Sequence, residues 1–462
     1  MVRPAKPRDI CRPCAWDRVH AQPAPESVSE TGEPGRPCKG DVPASEALRA
    51  GGTEVGESRG GQTFRAAFGL ACLAAIAVLL PGSAYEGSHA QNLLVGFVPL
   101  LWIGFLSVAL PRWTKRAVAS RGILEVSLLC HALALLLTWV APEAGLLLQV
   151  SANTAACVVL AHHSIVARAR GAAYVVILVI VQSLAGAMAA YASLPGPVPT
   201  RISLSAIILL CLELGGRISY ALVNAAHERA GLMPPDPANS RLVLAHRTFA
   251  AAAVLLWSLG LPCGVPAIVA GFIGIKRLAL LEPWEARRFS GVAAMLAGVA
   301  WINLGFLALG LAEAEIGPIS DIAIVHIWSV GGLGTTAIAV MTSVTRKRDK
   351  MSFRSSPLAN AAYSLIAAAA LARVLSAVLA GSSPALLLSA GIGWVAAFAC
   401  CLAFLLSGLR SPPNRRIHDP GLRASDVKSG SSFHVRCASS AGRRSGLPDP
   451  HDAPGSSGHC LS

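Results

Sequence analysis

Ser88-His89-Ala90-Gln91-Asn92-Leu93-Leu94-Val95-Gly96-Phe97 begins a stretch that runs on to Pro111-Arg112-Trp113-Thr114. Apolar residues continue almost unbroken from Leu93 to Leu110. That is about the 20 residues that carry a helix across a hydrocarbon core. The spacing predicts a membrane helix over residues 91–110, with His89 at its mouth and an end at Pro111, Arg112 and Trp113. A histidine at such a rim is either an interfacial side chain or a ligand.

Composition extends that reading to the whole chain. The 462 residues are 53% hydrophobic and only 14% charged, against about 25% charged in soluble domains. The formal net charge is +14, but the Lys and Arg sit in short loops between apolar runs. This distribution excludes nucleic acid as a partner and implies a lipid bilayer.

Twelve candidate spans follow, at residues 65–82, 91–110, 121–141, 143–166, 171–194 and 202–224, then 241–260, 262–281, 290–312, 322–345, 356–380 and 385–409. None alternates like a barrel strand. The expected fold is therefore an all-α integral membrane protein, a twelve-transmembrane-helix bundle over residues 63–410. Residues 1–62 and 411–462 are rich in Pro, Gly, Ser and charge, and are expected to be disordered tails. No apolar signal-peptide core precedes Ala66.

Loop charge sets the expected orientation. Every second loop is basic: Arg112, Lys115, Arg116 and Arg121; then Arg168 and Arg170; then Arg229 and Arg241. Lys276, Arg277, Arg287 and Arg288 follow, and finally Arg346, Lys347, Arg348, Lys350 and Arg354. The alternate loops hold Arg201 alone among basic residues, with Glu86, Glu143, Glu313, Glu315 and Asp321. A miscount by one span destroys this asymmetry. The expectation is an inner (plasma) membrane protein with both termini cytoplasmic.

The chain has 12 cysteines. Seven lie in apolar runs, where Cys acts as a small hydrophobe. Cys11-Arg12-Pro13-Cys14 is a single C-x-x-C near His20 and Cys38; without a second pair it argues against a zinc site.

Ionisable groups inside spans are costly and hence candidates for function. Glu213 and Arg217, four apart on the sixth span, share a helix face and form either a structural ion pair or part of a polar interior. Arg247 and Arg373 snorkel or line that interior, and Asn303 suits an interhelical hydrogen bond. His131 falls near mid-membrane, with His162 and His163 towards the inner end. His89 and His326, far apart in sequence, fall at similar depth near the outer face. Two such imidazoles are either separate hydrogen-bonded histidines or axial ligands for haem iron or copper.

Several stretches also resemble the NnrS family, described as haem- and copper-containing membrane proteins of the nitric oxide and denitrification response. Phe64-Arg65-Ala66-Ala67-Phe68 is similar to that family's F-R-P-F-F. Gly96-Phe97, Gly104-Phe105-Leu106 and Pro111-Arg112-Trp113-Thr114 resemble G-F-x(6)-G-F-L-x-T-A-V-P-N-W-T. Gly215-Gly216-Arg217 resembles its G-G-R. His326, Val330-Gly331, Gly334-Thr335 and Val340-Met341-Thr342 resemble H-A-L-T-V-G-x-x-G-T-M-T-L-x-V-M-T-R. Ala372-Arg373-Val374-Leu375 and Trp394 continue the register through the last two spans.

The resemblance implies haem or copper bound at His89 and His326, and a protective or redox role towards nitric oxide rather than enzymatic turnover. It also shows departures. Gln91 and Asn92 stand where the family's W-H-x-H-E-M has its second histidine and glutamate. Leu296 replaces a ninth-helix histidine, and Ser343 replaces an arginine. Two other readings stay open: a twelve-helix secondary transporter, with Glu213, Arg217 and Arg373 lining its path, and a degenerate scaffold that has lost its metal. The loop from Pro111 to Arg121 has neither an acidic residue nor a glycine, unlike the signature of the largest carrier superfamily.

Overall fold

The structure, a computed structural model, describes residues 63–79, 89–116, 121–168, 170–191, 197–233, 240–281, 288–349, 356–379 and 383–410. Both expected tails lie outside the described residues, and so do Cys11 and Cys14. The regular secondary structure among the described residues is all helical, and its twelve helices follow the twelve apolar runs.

These are α1 Thr63–Ala77, α2 His89–Thr114, α3 Arg121–Leu137, α4 Pro142–Val166, α5 Arg170–Tyr191 and α6 Val198–Ala230. The rest are α7 Ser240–Ser258, α8 Gly264–Ala279, α9 Ser290–Glu313, α10 Asp321–Arg348, α11 Pro357–Val378 and α12 Pro384–Arg410. Eight (α2, α4, α5, α6, α9, α10, α11 and α12) are long and apolar enough to cross a membrane. Four fall short of the lengths or character read from sequence. α1, α3 and α8 unwind into turns before completing a full span; α8 starts only after Pro262, whose ring and missing N–H resist helix continuation. α7 reaches 19 residues but carries Arg241 and Arg247.

The helix boundaries have local causes. Proline opens α4, α11 and α12, where its missing N–H costs nothing. Gly231, at φ 68°, ends α6 in the left-handed conformation that suits glycine. Ser320 caps α10 by accepting from Ala323 N–H. The expected end of the second helix at Pro111 is corrected: α2 runs through Pro111 to Thr114.

α2 and α10 each contain a π-helical segment, Leu93–Phe97 and Ile327–Gly334. In α2 the cause is Pro99. Val98 N–H donates to Leu93 O rather than Leu94 O, and Pro99 has no N–H for either Leu94 or Val95. Those two carbonyls are instead satisfied from neighbouring helices: Gln182 Nε2 donates to Leu94 O and Asn153 Nδ2 to Val95 O, both at 2.8 Å. In α10 the segment coincides with Gly331, Gly332 and Gly334, poor helix formers that permit close packing. A Cβ on Gly331 would stand 2.7 Å from Trp301 Cδ2.

Sequential helices pair as hairpins α3–α4, α5–α6, α7–α8, α8–α9 and α11–α12, and α9 also meets α6 and α10. The core is aromatic at two points: Trp328 stacks edge-on against Trp257 and Phe306, and Phe97 against Trp394 and Phe398. α1 joins them through Trp394 Nε1, which donates to Ala75 O at 2.8 Å. The outer surface is apolar too, with Leu129, Leu136, Ile165, Val265 and Leu388 all exposed. Water would penalise such a surface and lipid does not.

Candidate functional site

His89 is the first residue of α2, one turn before its π segment; His326 immediately precedes the π segment of α10. Both histidines line one cavity of about 980 Å³. That is the upper end of the about 300–1,000 Å³ common for cofactor pockets. Arg373 from α11 lines the same cavity, while Leu94, Phe97, Leu333 and Trp394 supply apolar walls. Two helices that carry π segments thus present two distant histidines to one space.

The His326 ring has a defined tautomer. Its Nδ1 lies 2.7 Å from Ile322 O, an acceptor only, so the Nδ1 proton donates there and Nε2 keeps its lone pair. A backbone carbonyl in this role orients metal-ligating imidazoles and raises their basicity. Arg373 Nη1 donates to Ser376 Oγ at 3.0 Å, and among the described residues no carboxylate pairs with its guanidinium.

The other histidines are differently employed. His131 is buried, with Nδ1 2.8 Å from Ser127 O and Nε2 2.9 Å from Asn153 Oδ1. Through Asn153 it supports the α2 π segment. His163 Nε2 lies 2.9 Å from Thr114 Oγ1, tying α4 to the end of α2, and His162 is exposed. Asn303 makes the expected interhelical bond, its Oδ1 3.1 Å from His246 Nε2.

The polar pair on the sixth span is a triad. Glu213 is buried and accepts from Arg217 on its own helix. Arg247 Nη2 reaches both its oxygens, at 2.7 and 2.6 Å. This cluster lines a separate, smaller cavity that contains neither His89, His326 nor Arg373.

The positions of departure from the family pattern have structural occupations. Gln91 Nε2 donates to Ala189 O at 2.8 Å, clamping α2 to α5. Leu296 is buried against Val223, Leu281 and Val292. Among the described residues, no three His, Cys, Asp or Glu side chains gather closely enough to hold a metal ion. Copper, which favours several nitrogen or sulfur donors, does not fit this donor set. Haem fits better: it needs one or two axial imidazoles, apolar walls and a cation for its carboxylates.

Sequence reasoning missed Gln182, Asn153 and His246. Pro99, ten residues beyond the start of the apolar helix α2, was the available signal for the first two. The chain matches the model of a family described as NnrS protein over residues 61–412. No curated protein matches the chain.

Proposed function

Since the chain belongs to the NnrS family of multi-pass membrane proteins, we propose that its outer cavity binds one haem through His326, His89 or both. Residues 63–410 form the membrane domain, and all twelve helices cross the inner membrane with both termini cytoplasmic. The short helices α1, α3 and α8 cross at places where flanking side chains snorkel or the bilayer thins locally. Loop charge supports this orientation.

The observation that carries the reading is the convergence of two π-interrupted helices, each with a histidine within one turn of the interruption, on one apolar cavity. π segments are rare and concentrate at functional sites. His326 Nε2 is the donor that would hold the haem iron most readily, since Ile322 O fixes the ring. Arg373 supplies the positive charge that pairs with a carboxylate in an apolar wall. Leu94, Phe97 and Trp394 face the space with apolar side chains.

When bound, haem supplies an iron that takes up small diatomic gases and passes single electrons. The protein acts in the nitric oxide or nitrosative-stress response, as a protective or redox component. The transporter reading loses support because Arg373 stands in a different cavity from Glu213 and Arg217. The absorption spectrum of protein purified from haem-replete cells tests the proposal: a Soret band is expected, and its absence overturns haem binding.

A further inference from the structure

The smaller cavity, about 270 Å³, lies among α5, α6, α7, α8 and α9. Three guanidiniums, Arg217, Arg247 and Arg277, line it against one carboxylate, Glu213. Glu213 is already engaged by Arg217 and Arg247. Arg277 Nη1 donates to His246 Nδ1 at 2.6 Å, so the His246 proton sits on Nε2 and donates to Asn303 Oδ1. The ring is thus a neutral acceptor and offers Arg277 no counter-charge. Among the described residues no carboxylate lies within 4.0 Å of Arg277, and its Nε is buried without a partner. Ser219 Oγ, fully buried in the same wall, also has no partner.

The wall carries two more positive charges than negative ones, and two of its donors, Arg277 Nε and Ser219 Oγ, are buried without partners; orphaned buried donors are unfavourable unless an anion completes them. We infer that this cavity is a binding site for a small oxyanion, held by Arg277 with Arg217 and Arg247 and by the Ser219 and Tyr220 hydroxyls. Its volume falls below the about 300–1,000 Å³ of cofactor pockets, which suits an inorganic oxyanion and excludes haem.

A second observation points the same way. Arg217 also lines a neighbouring cavity of about 960 Å³, with Arg112, Arg229, Arg346 and Lys347 and no carboxylate in its wall. Arg346 is buried there and its Nη2 has no hydrogen-bond partner. Five cations around one opening draw in anions and pass them towards Arg217. The inference is independent of the haem reading, because it uses none of that site's residues.

The test is thermal unfolding of the full chain in non-ionic detergent, titrated with sodium phosphate, sulfate or nitrate against sodium chloride at equal ionic strength. At least one oxyanion should raise the melting temperature saturably, as a ligand specific to the folded state does. Arg277→Gln should weaken the apparent affinity at least about tenfold. Ser219→Ala, which removes no charge, should weaken it about threefold and serves if Arg277→Gln does not fold. His89→Ala should respond as the native chain does. The inference is overturned if no oxyanion acts saturably, if chloride acts equally, or if both variants keep native affinity. Stabilisation by phosphatidylglycerol micelles alone overturns it too, since the cavity would then hold a lipid headgroup.

Discussion

Gln182 donates its side-chain amide to Leu94 O at 2.8 Å, across from α5 to α2, and accepts from Trp102 Nε1 at 3.2 Å. Pro99 creates the vacancy that the first bond fills, because it removes the N–H that a π turn would direct to Leu94 O. Gln182 is fully buried, so both bonds are shielded from water. Gln182→Leu keeps the volume and removes both partners. It should destabilise the protein by about 1–3 kcal/mol, the cost of orphaned buried groups, read as a lowered thermal midpoint. Pro99→Ala should restore an ordinary α turn and displace His89, so it should weaken haem binding more than it weakens folding.

Glu213 anchors two arginines, and the two have unequal claims on water. Arg217 and Arg247 side chains are 33% and 47% exposed, against 3% for Glu213. Glu213→Gln should therefore cost about 2 kcal/mol, less than the about 3–5 of a fully buried pair, because the freed guanidiniums reach solvent. Arg247→Gln should cost less still, since Arg217 stays on the carboxylate. Thermal unfolding of the two variants gives the order.

Gly331 and Gly122 make opposite demands. A Cβ on Gly331 would press within 2.7 Å of Trp301, whereas one on Gly122 meets nothing within 4 Å. Gly331→Ala should destabilise by about 1–3 kcal/mol through overpacking and disturb the His326 helix. Gly122→Ala, on an exposed turn of α3, should be neutral or stabilise by up to about 1 kcal/mol. Parallel melting curves separate the two.

These residues also show what a sequence can convey. Apolar runs marked all twelve helices, and loop charge predicts one depth for His89 and His326, which in the fold line one cavity. Which face of each helix turns inward was not legible. α9 is apolar on every side, so no periodicity distinguishes buried Leu296 and Asn303 from exposed Leu304. Arg277 illustrates the same gap. It reads in sequence as one of the basic inner-loop residues, yet in the fold its guanidinium turns back to His246. Pro111 read as a helix end but lies inside α2, while Pro99, unremarked in the sequence, sets the π turn. A proline's effect depends on which carbonyls its neighbours can satisfy, and those neighbours, Gln182 and Asn153, come from other helices.

The central claim is that His89 and His326 serve one haem in one cavity. The most direct measurement is the Soret absorbance per protein of His89→Ala and His326→Ala beside the native chain and His131→Ala. The account predicts a Soret band in the native protein and in His131→Ala, and a reduced or shifted band in His326→Ala, with a smaller change in His89→Ala. A native protein without a Soret band, or a band unchanged in both His89→Ala and His326→Ala, would contradict it.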